Sequence, residues 1–239
     1  MKIIEYEFDI ENLEILAKAI WSKPNIVFHG TTSYHSDNIE KNGFVVNHIP
    51  FDIDKVKILI KVLETDGFSK YDDVTGNLNT TTVEGIRNYI NTIENRDLRL
   101  SFTPLSYLSA RYSSSETKGG QIFRLIRKAK MIIDVAIKEN KLEDQVPEEV
   151  YDIFTLLNDI DNSDSIVYVI ELSKDLVGIE CDVNNVIHSS NSLSPEHIIG
   201  KVIVPSSFGM NVVEEEKIKL KLRSKLYFNN GIGLRILKS

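Results

Sequence analysis

Val27-Phe28-His29-Gly30-Thr31-Thr32 is the stretch on which the reading of this chain turns. Asn25 to His29 is a short apolar run with β-branched and aromatic residues, the composition of a buried strand. Gly30, followed by two hydroxyl residues, is expected to break it. A histidine at a strand end, next to a glycine, has a defined chemistry. Glycine lets a flat ligand approach the backbone closely. Its N–H and C=O can pair with a carboxamide, and the imidazole can hold a ribose hydroxyl. Taken alone, a strand-end histidine is more often a hydrogen-bonded structural residue.

Around this stretch the pattern alternates between helix and strand. Leu13, Ile15, Leu16, Ala19 and Ile20 recur at helical spacing before Pro24. After the strand, Ser33 or Ser36 is placed to cap a helix that ends at Gly43, a left-handed position. Residues 50–95 differ in character. They hold an apolar-basic helix over 55–63, turns at Asp66-Gly67 and Thr75-Gly76-Asn77, and a helix over 82–93.

Leu98 to Thr103 alternates with period two and is a strand stopped by Pro104. Residues 106–113 then form a short helix presenting Ser109 and Tyr112 one turn apart. Tyr112 can stack on an aromatic ring and Ser109 can bond an amide, although a lone tyrosine there is more often a core residue. Residues 121–137 fit a strand, a helix or a helix after a short strand, with helix favoured for most of them, and 145–160 reads as a helix. The last third favours strands over 165–172, 177–187, 201–204 and 220–223, with a single helical turn at Pro195-Glu196-His197-Ile198. Helices early and strands late give an α+β class.

Composition bounds the partners. The 239 residues are 42% apolar, enough for a core, and carry a net charge of −7. That charge disfavours broad adhesion to nucleic acid or to an anionic membrane. No apolar run is long enough to span a bilayer, and the N-terminus does not read as a signal peptide. A cytoplasmic protein is expected, and an effector delivered into a target cell has the same sequence features. Cys181 is the single cysteine and reads as a small buried residue. His29, His35, His48, His188 and His197 lack metal-ligand spacing, so no metal is expected.

Taken together, the strand ending His29-Gly30-Thr31, the helix ending Asn42-Gly43-Phe44, and the later strand followed by Ser109-Ala110-Arg111-Tyr112 resemble the ADP-ribosyltransferase superfamily. The likeness is to its poly(ADP-ribose) polymerase and diphtheria-toxin branch. Ile198 to Val204, after Ser194-Pro195-Glu196-His197, resembles the turn and strand that close the family's sheet. The resemblance implies a split antiparallel β-sheet core with flanking helices, in one domain over 1–239 with a helical insertion at 50–95.

It also implies NAD as substrate. His29, Gly30, Thr31, Ser101, Ser109 and Tyr112 would bind it, and His29, Tyr112 and Asn185 would act in catalysis. The activity implied is mono-ADP-ribosyl transfer to a protein or nucleic-acid acceptor, as in toxins and phage or defence effectors. The alternative is a silent domain of the same fold that binds NAD, ADP-ribose or a partner. Two positions depart from the family. Ser101 stands where the family has a tyrosine, and counting back from the Pro-Glu-His-Ile turn puts Asn184, Asn185 or Val186 near the catalytic glutamate's place, with Glu180, Asp182 and Glu196 as nearby acids. Cleaving the nicotinamide–ribose bond builds oxocarbenium character that a carboxylate offsets. An amide bonds the ribose hydroxyl without supplying charge, and losing one such group costs about 10²–10³ in rate. His29, Ser101, Tyr112 and residues 182–187 are expected to converge on one cleft. His29 is expected to carry little core packing.

Overall fold

A computed structural model describes residues 3–6, 26–46, 48–72, 81–95, 98–103, 106–114, 118–172, 179–181 and 186–204. The helix expected near 10–21, the turn at 75–77, the strand at 220–223 and residue Asn185 lie outside the described residues. The fold is α+β with a mixed sheet and several helices. The chain divides into two compact units. One takes in Met1–Val46, Arg99–Lys118 and Ser163–Ser239, and the other Asn47–Leu98 and Gly119–Asn162. The helical unit takes in the insertion expected at 50–95 and also draws on 119–162.

The first unit is built on strands β1 (Ile4–Tyr6), β2 (Ile26–Thr32), β3 (Leu100–Phe102), β4 (Ser165–Glu171), β5 (Ile179–Cys181), β6 (Ile187–Ser189) and β7 (Ile198–Val204). A four-stranded sheet has the order β1-β7-β4-β2, and a three-stranded sheet the order β3-β6-β5. All pairings are antiparallel except β1 with β7. The expected break at Gly30 does not occur: β2 runs through to Thr32, because every residue from Ile26 to Thr32 has a partner on β4. The single strand expected over 177–187 is instead two strands, β5 and β6, paired with each other.

β4 reads Ser-Ile-Val-Tyr-Val-Ile-Glu and is buried on both faces, as a strand covered on both sides must be. Its even-numbered residues Ile166, Tyr168 and Ile170 join Val27, Ile39, Phe44, Phe102, Leu193 and Ile198 in one core. Its odd-numbered residues Val167 and Val169 join Ile26, Phe28, Ala110, Val202 and Val204 in another. A register shift between Val169 and Ile170 explains why Ile198 packs on one face and Val202 on the other, although both are even-numbered.

Helix α1 (Ser36–Asn42) covers the first face through Ile39 and ends at Gly43, with φ 77°. A Cβ there would lie 2.0 Å from the Leu193 carbonyl oxygen. Only glycine lets the chain pass this closely, so that Phe44 exchanges both backbone hydrogen bonds with Leu193, each 2.8 Å. The expected serine cap is absent: Ser36 Oγ donates to the Ser33 carbonyl, and Ser33 Oγ accepts from the Asp164 N–H.

The second unit packs α2 (Ile53–Leu63), α3 (Asp66–Ser69) and α4 (Thr82–Glu94) with two later helices. Asp66-Gly67, expected as a turn, opens the short helix α3 instead. Asp52 caps α2, and Thr81 caps α4 with help from the Asp72 carboxylate, which accepts from the Thr82 and Val83 N–H groups. In the first unit, α5 (Ser106–Ser114) follows β3. Helices α6 (Gln121–Asn140) and α7 (Glu148–Asn162) complete the second. Their buried residues recur at three and four, giving a core that includes Leu59, Leu63, Ile86, Phe123, Ile126, Ile133, Phe154 and Leu157.

Candidate functional site

In an antiparallel sheet, alternate residues of a strand aim their N–H and C=O at opposite neighbours. Phe28 exchanges both of its bonds with Thr103, at 2.8 and 3.0 Å, on the edge of β2 away from β4. Gly30 aims its backbone at that same edge. Had β3 continued alongside β2, Gly30 would meet Ser101. The Ser101 carbonyl instead accepts a hydrogen bond from His29 Nδ1, 2.9 Å away. The strands part at this point, β3 pairing with β6, and no described residue takes up the Gly30 N–H and C=O. The result is a wedge between two sheets, with a glycine backbone on one wall and a histidine at its apex.

His29 is half-buried. Its ring lies edge-on to Phe44 (centroids 4.8 Å apart) and Phe102 (5.7 Å). Burial pushes its pKa below the ordinary histidine value, and the bond to the Ser101 carbonyl opposes this. A carbonyl can only accept, so Nδ1 carries the proton of the neutral ring and Nε2 is a lone-pair acceptor suited to a hydroxyl. The expectation that His29 carries little core packing is overturned. Two buried phenyl rings and a carbonyl hold it.

Gly30 answers a different need from the one read in the sequence. A Cβ at this position would lie 2.0 Å from the Ser109 carbonyl oxygen, so the missing side chain makes room for α5. Ser109 is buried there, and Ala110 packs on Phe28, Val167 and Val169. Thr31 is buried beyond Gly30.

The expected residues therefore fall into groups. His29 is joined to Ser101, and Gly30 to Ser109. Helix α5 covers the face of the four-stranded sheet opposite the one carrying His29, and its Tyr112 is 54% exposed. Of the residues expected to converge on one cleft, His29 and Ser101 are brought together, Tyr112 is carried by the helix on the opposite face, and 182–185 of the stretch 182–187 lie outside the described residues.

One residue beside the wedge was not singled out from the sequence. His188 on β6 lies directly across from Ser101, and its Nδ1 is 3.1 Å from Ser101 Oγ. On β5, Glu180 occupies the register position opposite His188. His188 was weighed only for metal spacing. Its partner is 87 residues away, and no local pattern encodes that pairing.

Several other polar groups among the described residues of this unit have structural partners. His197 Nδ1 donates to the Glu171 carbonyl at 2.9 Å, fixing the single turn Pro195–His197. Glu40 accepts from Tyr168 Oη and from Lys201 Nζ, both at 3.0 Å. Burial, and then the Glu40 charge, push the Tyr168 phenol well above its usual range. Among the described residues, no group of three or more His, Cys, Asp or Glu is arranged to hold a metal, and no helix is long and apolar enough to cross a membrane. Comparison of the chain with protein-family models, curated proteins and solved structures gives no match.

Proposed function

We propose that the sheet unit is a mono-ADP-ribosyltransferase domain that uses NAD as substrate and modifies a protein or nucleic-acid acceptor. The observation that carries this reading is the Gly30 backbone at the wedge where β2 and β3 part, next to the His29 ring. A carboxamide has one C=O and one N–H2 side by side. It would bond the Gly30 N–H and C=O as a neighbouring strand would. The neutral His29 ring, with Nδ1–H on the Ser101 carbonyl, offers Nε2 to a ribose hydroxyl. Thr31 and Ser109 flank the same backbone. Asn185 keeps its assigned role of bonding the ribose by the sequence resemblance alone, whereas Tyr112 is given none, since α5 covers the sheet face opposite His29.

The test is incubation of the purified chain with labelled NAD and a cell lysate. Release of nicotinamide with label on a macromolecule is expected. Absence of both NAD loss and labelling at high protein concentration contradicts transfer. NAD binding by calorimetry without nicotinamide release would replace it with a silent NAD-binding domain.

A further inference from the structure

Ser101 has an arrangement that the proposed binding of NAD does not use. Its carbonyl is committed to His29, while its exposed hydroxyl meets the imidazole of His188. The two residues face each other across the β3–β6 pair, so sheet register rather than a flexible loop sets their separation. A hydroxyl held on an imidazole nitrogen can serve as a proton relay, passing its hydrogen to that nitrogen when the nitrogen is unprotonated. Among the described residues, His29 on β2 bonds the Ser101 carbonyl, and Glu180 holds the backbone register position opposite His188 on β5.

We infer that Ser101 and His188 act together as the general base that deprotonates the acceptor, and that the acceptor is therefore a neutral hydroxyl. This rests on the NAD reading above. In the step, the bond from ribose C1′ to the nicotinamide nitrogen breaks and nicotinamide leaves with the electron pair. The acceptor oxygen bonds C1′. Its proton passes to Ser101 Oγ as the Ser101 proton passes to His188 Nδ1, and the imidazolium then returns a proton to water. A hydroxyl already presents a lone pair and sheds its proton as the bond forms. A guanidinium must also lose a proton, but its nitrogen lone pairs are delocalised into the cation and it holds its protons too tightly for an imidazole base to free one. Ser101 is the catalytic residue of the pair, and His188 acts through it.

The experiment uses the full chain, NAD, and two small acceptors: methanol as the hydroxyl probe and agmatine as the guanidinium probe. Methyl ADP-ribose is expected, and no ADP-ribosyl agmatine. His188→Gln keeps a side chain able to bond Ser101. It should lower kcat for methyl transfer by about 10²–10³, within the range of general-base effects, with KM for NAD changed less than about threefold. The wild-type rate should depend on pH, and that dependence should be lost in His188→Gln. Ser101→Ala should lose as much, Ser101→Thr should recover most of it, and the double variant should be no worse than either single one. A wild-type chain that releases no nicotinamide with either acceptor overturns this inference together with the NAD reading. Wild-type release that keeps its rate and pH profile in His188→Gln, or that favours agmatine, overturns the relay and leaves the NAD reading standing.

Discussion

Glycine plays opposite parts in the two units. In the sheet unit, a Cβ on Gly30 or Gly43 would lie 2.0 Å from a backbone oxygen, that of Ser109 or Leu193. In the helical unit, a Cβ on Gly67 or Gly85 would meet the ends of the Leu142 and Leu125 side chains, at 2.7 and 2.9 Å. A backbone oxygen fixed in its own ladder cannot give way, whereas a leucine methyl can turn aside. The helical unit is held by side chains interdigitating at helical spacing, with its charges paired on the surface. The sheet unit adds to its two apolar cores close main-chain contacts at these glycines. Chemistry that needs a ligand at the backbone belongs to the second kind of construction.

The largest effect expected from this difference is at Gly43. Gly43→Ala combines a backbone clash with a positive φ and should cost about 3 kcal/mol or more, read as a loss of the cooperative thermal transition of the sheet unit. His29→Ala comes next. It removes two ring contacts and orphans the Ser101 carbonyl, for about 1–3 kcal/mol in chemical denaturation, and it should abolish NAD binding. A cost below about 0.5 kcal/mol would mean that the Phe44–His29–Phe102 stack does not hold the wedge.

Acid sharpens the same point. The folded-state pKa of His29 is lowered, so between that value and about 6.5 the unfolded chain binds more protons than the folded one. The stability tied to the neutral ring is present above pH 6.5 and is lost as pH falls through the lowered pKa. Comparing wild type with His29→Gln by denaturant titration from pH 8 to 5 should show a steeper loss in the wild type.

The helical unit should respond weakly to matched changes. Gly85→Ala sets a helix-propensity gain of about 1 kcal/mol against the movement of Leu125, and should leave the denaturation midpoint within about 1 kcal/mol of wild type. Arg87→Ala removes an exposed pair with Glu64 and should change stability by less than about 0.5 kcal/mol.

The helical unit was the more legible of the two. Its α2, α4, α6 and α7 follow from apolar residues recurring at three and four, while the caps Asp52 and Thr81 emerged only in the structure. What periodicity does not carry is that residues 119–162 join 47–98 in one unit, since that is decided by packing between distant segments. In the sheet unit, the alternation in 98–103 and the apolar runs at 26–28 and 165–170 located strands. The continuation of β2 past Gly30 was hidden, because glycine followed by two hydroxyl residues is also a turn signature. His29 and Gly30 stood out by local pattern. The Ser101–His188 pair and the two phenyl rings around His29 did not, because register across tens of residues brings them together.

The central claim is that the Gly30 backbone receives the carboxamide of NAD. His29-Gly30 is the only His-Gly step in the chain. Labelling histidine with ¹³C at the carbonyl and glycine with ¹⁵N therefore gives one carbonyl-filtered amide signal, that of Gly30. Titration with NAD, and separately with nicotinamide, should move that signal in a saturable way, with the NAD effect lost in His29→Ala. A Gly30 signal that stays fixed at millimolar NAD would contradict the account.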